Sequence, residues 1–338
     1  MVFIKVSGLL IASLFSFASL AALSGGSQGS NSLRAQSQQA DFRGLLNMVD
    51  GPNLLSDSGV DFPKYDDLEF RLTQLAARHP SVAELVHYGK TVEGRNLNLL
   101  RIGAKNPANG ANQNSAIEIS GAIHGNEYLG IEEPLAVYFL DHQDQMPGLQ
   151  SYLQTGGVIY FVPVVNPDGF EIRQRLNHNG SDLNRDFALI PRREARFSQP
   201  ETTALARFIE DDLNAHHLQL KMSLDYHCCV PAFITPWTYL DAQPSPMDLP
   251  AIHAITQVQK GLLNYDAGNA KDTVGYLAEG STIDYFYARY GTLAFTIEGK
   301  DGGEMDVFAQ HIRFWDKMFQ DIAKLRPSNV IPSGRLAN

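Results

Sequence analysis

Short apolar runs and stretches of helical period alternate along the chain from about residue 61 to about residue 326. Apolar runs bounded by turn residues predict buried strands, and apolar residues that repeat every three to four positions predict helices. Strands are predicted at 96–103, 116–123, 157–166, 221–227 and 292–299, and helices at 131–142, 200–212, 250–265, 282–290 and 307–325. This alternation predicts one α/β domain, in which helices flank both faces of a mixed, mostly parallel, twisted central sheet. Ligands of such folds bind beyond the carboxyl ends of the strands.

The first 23 residues have the features of a signal peptide. Lys5 precedes a long apolar run, and the small residues Ser19 and Ala21 suit a cleavage site. A membrane anchor is the alternative, because the run is close to the shortest length that spans a bilayer. We expect an exported, periplasmic or secreted protein with no stable membrane anchor. The predicted division is a signal peptide at 1–23, a flexible or extended segment at 24–60, the folded domain at 61–326 and a tail at 327–338.

Charge and cysteine content limit the partners and the source of stability. The 338 residues include 27 Lys and Arg against 37 Asp and Glu, which gives a formal net charge of −10. This balance excludes nucleic acid as the main partner, because phosphate binding needs a basic surface. The two cysteines, Cys228 and Cys229, are adjacent. We predict two small buried side chains there. A disulfide between them would be strained, because a trans peptide holds neighbouring Cα atoms closer than disulfide geometry prefers.

Metal-ligand chemistry follows two of the predicted strands. His124 and Glu127 form an H-x-x-E after the strand at 116–123, and His227 ends the strand at 221–227. Two imidazoles and one carboxylate leave a position open on a tetrahedral zinc ion, which is typical of a catalytic site. An H-x-x-E alone is weak evidence. Its position at a strand end, with a third ligand at a second strand end, favours a metal site.

Further polar residues follow two other strands. The loop after Asn166 contains Arg175, Asn184 and Arg185, which are donors suited to binding a carboxylate. Glu298 ends the apolar strand at 292–299, where a carboxylate is costly unless it is paired or functional. Beside a zinc-bound water it could serve as a general base.

Together these motifs resemble the zinc metallocarboxypeptidases typified by pancreatic carboxypeptidases A and B. The resemblance extends from about Tyr65 to Phe319 and includes the E-G-R turn at 93–95, the H-x-x-E, NPDGF at 166–170 and R-x-N-x-N-G-x-D-L-N-R at 175–185. The chain is identified as an exported bacterial member of this group. The resemblance implies one zinc ion per chain, a peptide substrate with a free C-terminal carboxylate, and a monomeric enzyme.

The resemblance also implies a role for each matching residue. His124, Glu127 and His227 correspond to the zinc ligands, and Asp182 to the carboxylate that orients the first histidine. Arg175 corresponds to the residue that polarises the scissile carbonyl, and Glu298 to the general base and acid. Asn184 and Arg185 correspond to the residues that bind the C-terminal carboxylate of the substrate, and Tyr276 corresponds to the tyrosine that closes over the bound substrate.

The pocket for the C-terminal side chain is predicted to be mostly apolar. In the resembled family an acidic residue at the position of Ile283 selects Lys and Arg, and Ile234 and Thr296 match other pocket positions. We therefore expect a preference for large apolar or aromatic C-terminal residues, because an unpaired buried cation is costly. Thr238 replaces a glycine of some relatives and would make the pocket smaller.

Two other functions remain open at this point. Bacterial proteins of the resembled fold include peptidoglycan amidases that act on muropeptides containing diaminopimelate, and an exported protein could meet that substrate. An inactive peptidase fold that only binds is less favoured, because Glu298 and all three ligands are present.

Overall fold

The computed structural model describes residues 62–103, 114–187 and 197–324. The predicted signal peptide at 1–23, the predicted segment at 24–60 and the predicted tail at 327–338 lie outside these residues. Within the described part, no helix combines the length and the apolar composition that crossing a bilayer requires.

A single mixed sheet organises the described residues. Its strand order is β1-β2-β4-β3-β5-β8-β6-β7, and the pairings β4–β3, β3–β5, β5–β8 and β6–β7 are parallel. The remaining three pairings are antiparallel, so the predicted mixed and mostly parallel sheet is confirmed. The strands are β1 (Ala83–Lys90), β2 (Asn96–Ile102), β3 (Ser115–Gly121), β4 (Val158–Val162), β5 (Gln219–Cys229), β6 (Ala232–Ile234), β7 (Asp266–Gly268) and β8 (Leu293–Lys300).

Helices connect these strands, and five of them match predicted elements to within a few residues. The other four helices (α1, α3, α4 and α7) and the strands β1, β6 and β7 are additional to the elements expected from periodicity. The helices are α1 (Tyr65–Arg78), α2 (Glu132–Asp141), α3 (Pro147–Gln154), α4 (Pro167–Glu171), α5 (Pro200–Ala215), α6 (Leu249–Leu262), α7 (Ala270–Thr273), α8 (Thr282–Tyr290) and α9 (Phe308–Asp321).

Helices cover both faces of the sheet, as two neighbouring residues of β4 show. Successive side chains of a strand point to opposite faces. Phe161 packs against Phe139 of α2, whereas Tyr160 packs against Phe208 of α5. Both β4 residues are buried, and all of β3 is buried as well. The central strands are therefore apolar on both sides, which explains their continuous hydrophobic sequences.

The parallel strands β3, β5 and β8 determine where the functional residues meet. Gly121 at the end of β3 pairs with Tyr226 of β5, and His227 of β5 pairs with Glu298 of β8. These strands end at the same edge of the sheet. Residues that follow β3 or lie near the ends of β5 and β8 are consequently brought together, as expected for an α/β fold.

Candidate metal centre and active site

Three buried side chains converge at this edge of the sheet. Oε2 of Glu127 lies 2.8 Å from Nδ1 of His124 and 2.9 Å from Nδ1 of His227. The two Nδ1 atoms are 3.2 Å apart. Two ligand atoms that are each about 2.0–2.1 Å from one zinc ion lie at most about 4 Å apart. The three atoms therefore fit a single zinc ion, and a His₂Glu donor set is that of a catalytic zinc site.

A close contact between two loops shapes the turn that carries His124 and Glu127. The amide of Glu127 donates to the carbonyl of His124 at 2.9 Å. A Cβ atom at Gly125 would lie 2.1 Å from the carbonyl carbon of Gly169. Only glycine leaves room for this approach, so the H-G-N-E turn depends on the N-P-D-G turn that it packs against.

A carboxylate holds the outer nitrogen of each histidine ring. Nε2 of His124 lies 3.0 Å from Oδ1 of Asp182, and Nε2 of His227 lies 3.0 Å from Oδ2 of Asp225. An Nε2–H that donates to a carboxylate leaves the lone pair on Nδ1, the atom that faces the metal position. Both histidines are thus oriented as metal ligands.

Asp225 is a functional residue that sequence reasoning missed. It is fully buried on β5 and accepts hydrogen bonds from the hydroxyl groups of Thr282 and Thr296. Its position two residues before His227 was the available signal, because residues i and i+2 of a strand point to the same face.

Arg175 lies beside the metal position and contacts two of its carboxylates. Its Nη1 donates to Oε1 of Glu127 at 2.8 Å, and its Nε and Nη2 donate to Oδ2 of Asp182 at 3.2 and 2.9 Å. Burial raises the pKa of Glu127 and Asp182, but their contacts with the histidines more than offset it, and both pKa values lie well below the usual range. Both carboxylates are therefore available as anions at neutral pH.

Asn184 and Arg185 lie next to each other in a short 3₁₀ helix. Oδ1 of Asn184 accepts a hydrogen bond from the amide of Thr282 at 2.9 Å, which orients the side-chain NH₂ group. Nη1 of Arg185 donates to the carbonyl of Asn184 at 2.8 Å. The segment is fixed where the 3₁₀ helix ends, because the carboxylate of Asp186 accepts hydrogen bonds from the amides of Ser198 and Gln199, each at 3.0 Å. The two donors are thus held in place rather than free in solvent.

Glu298 completes the site from the neighbouring strand. It is partly buried on β8, and burial raises its pKa to about 7, with further contributions from nearby charged groups including Glu127 and Asp225. A carboxyl group with a pKa near neutrality can both accept and donate a proton at working pH.

One cavity of about 130 Å³ joins these groups. It extends from the metal position, past Asn184 and Arg185 of the 3₁₀ helix, to a wall formed by β6, the segment 274–280 (the Tyr276 loop) and Ser281 at the start of α8. The predicted site residues that line it are His124, Glu127, Arg175, Asn184, Arg185, His227, Ile234, Thr238, Tyr276, Thr296 and Glu298. Asp182 lies behind the metal position, against His124.

Comparison with known proteins identifies the family. The model of the zinc carboxypeptidase family (Peptidase_M14) matches residues 69–321. The chain belongs to the zinc carboxypeptidase family. Human carboxypeptidase B2 is 26% identical over 281 residues, which cover 71% of this chain and 62% of the human protein. Carboxypeptidase B of the crayfish Astacus astacus is 24% identical over 276 residues, which cover 72% of this chain and 88% of that protein.

Solved structures show the same fold. Carboxypeptidase A from Helicoverpa armigera superimposes with a TM-score of 0.63 at 21% identity, covering 89% of this chain and 82% of that chain. The structure of bovine thrombin-activatable fibrinolysis inhibitor in complex with a tick carboxypeptidase inhibitor gives a TM-score of 0.61 at 21% identity. The match covers 78% of this chain and 98% of that chain. The zinc carboxypeptidase fold is therefore established for this chain.

Within this zinc carboxypeptidase fold, Ile283 occupies a different place from the other predicted pocket residues. It is fully buried in the hydrophobic core, and the cavity lining, taken over the described residues, does not include it. Tyr276 lines the cavity and is 51% exposed. Lys271, in the same region, forms an ion pair with Asp241.

The prediction for the two cysteines requires a correction. The prediction of two small buried side chains is wrong, and the sulfur atoms of Cys228 and Cys229 are bonded to each other. The end of β5 extends to the rim of the cavity, where Cys228 is half-buried and Cys229 is exposed.

Proposed function

We propose that this protein is a zinc-dependent carboxypeptidase that hydrolyses the last peptide bond of a peptide, with Glu298 as the proton-transferring group. The matched regions cover 62% of human carboxypeptidase B2 and 30% of Arabidopsis carboxypeptidase SOL1, so the activity of this chain is inferred from its own site. The observation that carries the proposal is that one cavity contains the metal triad, a carboxyl group of raised pKa and a pair of anion-binding donors.

His124, Glu127 and His227 would hold the zinc ion through the three converging atoms. When bound, zinc acts as a Lewis acid toward the scissile carbonyl and lowers the pKa of water. Among the described residues, Glu127 and Asp182 occupy three of the five N–H groups of Arg175. The other two can point toward a substrate carbonyl and stabilise the negative charge that develops on its oxygen.

Glu298 accounts for both proton transfers of hydrolysis. As a carboxylate it accepts a proton from the attacking water, and as a carboxylic acid it returns that proton to the leaving nitrogen. A pKa of about 7 suits both transfers, since it lies near the pH of the reaction. The same group can therefore serve the whole cycle.

Asn184 and Arg185 explain why the reaction would be confined to the chain end. A guanidinium group and a side-chain amide offer several N–H donors to one carboxylate. The only carboxylate that every peptide carries next to its last peptide bond is the C-terminal one. Binding that group places the last peptide bond, and no internal bond, at the metal position.

The test compares a peptide acid with the matching C-terminal amide. We expect the zinc-loaded protein to release the last residue of the free acid and to act poorly on the amide, which lacks the charge that Arg185 would bind. Arg185→Ala should raise KM for the acid and reduce the difference between the two peptides. The exposed Arg207→Ala is the matched control. Equal cleavage of acid and amide would contradict the proposal.

The expected preference for large apolar or aromatic residues is not part of this proposal. It drew on three residues, of which Ile234 and Thr296 line the cavity, whereas Ile283 is fully buried and is not part of the lining taken over the described residues. The residues that do form the wall lead to a different expectation.

A further inference from the structure

The position of the substrate's C-terminal side chain follows from the two ends of the cavity. A residue whose carboxylate contacts Asn184 and Arg185, and whose peptide carbonyl lies at the metal position, must direct its side chain into the remaining part of the cavity. The residues that line this part are Ile234, Thr238, Ala270, Val274, Ala278, Ser281 and Thr296. This inference therefore rests on the proposed carboxypeptidase function.

A direct contact between two hydroxyl groups closes that part of the cavity. Oγ1 of Thr238 lies 2.8 Å from Oγ of Ser281, so the two side chains touch each other. Both residues are buried, and both line the cavity. Ile283, two residues after Ser281, is fully buried. A glycine at either hydroxyl position would leave a gap where this contact now lies.

The surrounding hydrogen bonds prevent Thr238 from moving aside. Oδ2 of the fully buried Asp284 lies 2.5 Å from Oγ1 of Thr238, and Oδ1 accepts the amide of Thr238 at 2.9 Å. The amide of Ala278 donates to the carbonyl of Thr238 at 2.8 Å, which ties the Tyr276 loop to this residue. Rotating the Thr238 side chain would take a hydroxyl donor away from the buried Asp284, which is unfavourable.

The available volume is too small for an aromatic ring. A cavity of about 150 Å³ is known to hold one benzene molecule. The cavity of this protein is about 130 Å³ in total, and the metal position and the substrate carboxylate occupy part of it. Forcing extra methylene groups into a packed site displaces side chains and backbone. A large C-terminal side chain would therefore disturb the Thr238–Ser281 contact.

We infer that the pocket formed by Thr238 and Ser281 selects peptides that end in a small residue, with alanine preferred over phenylalanine. Two hydroxyl groups together with the small or apolar residues Ile234, Ala270, Val274 and Ala278 give a short, uncharged pocket. Diaminopimelate, with its long charged side chain, is excluded from this pocket by the same lack of space.

The test measures kcat/KM for peptides that differ only in the last residue, which is alanine, valine, phenylalanine or diaminopimelate. One methylene group in a pocket typically changes kcat/KM by about 10-fold to 200-fold. We expect alanine to exceed phenylalanine by at least about tenfold. Faster release of phenylalanine or diaminopimelate than of alanine would overturn this inference and leave the proposed function intact. Release of no residue from any peptide would overturn both.

Two variants test the wall itself. Thr238→Ala removes the touching hydroxyl, and Ser281→Gly opens the opposite side while glycine remains an acceptable residue at the start of α8. Each should raise kcat/KM for phenylalanine relative to alanine by about tenfold or more. Thr73→Ala, on the exposed face of α1, should leave the ratio unchanged. If both pocket variants fold, judged by circular dichroism, and keep the wild-type ratio, the inference is wrong.

Discussion

Asp225 offers the most informative perturbation of the metal centre. Its Oδ2 atom holds Nε2 of His227 at 3.0 Å and also accepts the hydroxyl of Thr282, while Oδ1 accepts the hydroxyl of Thr296. Replacement by asparagine keeps the shape of the side chain. Its carbonyl oxygen can still accept from His227, and its NH₂ group can donate to Thr296, whose oxygen accepts as well as donates. Asp225→Asn therefore removes only the negative charge.

Asp225→Ala removes the acceptor as well. The Nε2–H of His227 then lacks its partner, and the ring is free to turn or to carry its proton on Nδ1, the atom that faces the metal. Mutating the carboxylate behind a metal-binding histidine typically weakens metal binding by about 10-fold to 100-fold. We expect zinc affinity to fall about tenfold in the asparagine variant and about 100-fold in the alanine variant. These losses correspond to about 1.4 and 2.8 kcal/mol of binding free energy.

The assay is a competition titration of zinc against a chromophoric chelator, combined with thermal unfolding of the metal-free proteins. Unfolding of the metal-free variants reports damage to the fold separately from loss of metal affinity. Asp182→Asn is the equivalent change behind His124, and the exposed Asp211→Asn is the control. If Asp225→Asn and Asp225→Ala both fold and bind zinc as tightly as the wild type, the argument that Asp225 positions His227 is wrong.

Three further outcomes are expected. Glu298→Gln should keep its zinc but lose turnover by ~10²–10⁴, as removal of a general base typically does, and near-normal kcat would mean that another group transfers the protons. His227→Ala should lose most of the roughly one zinc per chain that metal analysis of the dialysed wild type is expected to find, and full retention would contradict the assignment of ligands. Burial raises the pKa of Glu118 from its ordinary value of 4.5 to about 8, so its contribution to stability is complete below pH 4.5 and is lost as the pH rises toward 8. Glu118→Gln should therefore unfold at a higher temperature than the wild type near neutral pH, by a stability difference of ~3 kcal/mol, whereas the exposed Glu84→Gln should not.

The central strands were predictable because both of their faces are buried. The sequences of β3 and β8 contain short apolar stretches interrupted by single polar residues such as Glu118 and Thr296, and their predicted bounds differ from the observed ones by one or two residues. The strand predicted at 157–166 ends earlier, at Val162. Pro163 follows and cannot donate to a ladder, although the amide of Val165 still bonds to the carbonyl of Gly121. An apolar sequence therefore predicts that its residues are buried more reliably than it predicts that they pair with a neighbouring strand.

The predicted export, localisation and monomeric state remain predictions. They depend on residues 1–23 and on surfaces that no comparison tests. Two alternative functions were raised from the sequence, an inactive binding module and a peptidoglycan amidase. An inactive module is disfavoured by the intact cavity, and the amidase function depends on whether the pocket accepts diaminopimelate, which the peptide series measures.

The sequence by itself determined which chemical groups the site contains, because His124, Glu127, His227 and Glu298 are recognisable from residue type and from their positions near strand ends. The tertiary structure decided which other side chains reach the same cavity. Strand register places Asp225 behind His227, packing places Ile283 in the core, and the contact between Thr238 and Ser281 sets the depth of the pocket. The physical reason is that the room left in a cavity depends on distances of a few ångströms between residues far apart in the chain, such as the 43 positions that separate Thr238 from Ser281. Residue type and spacing along the chain do not encode those distances.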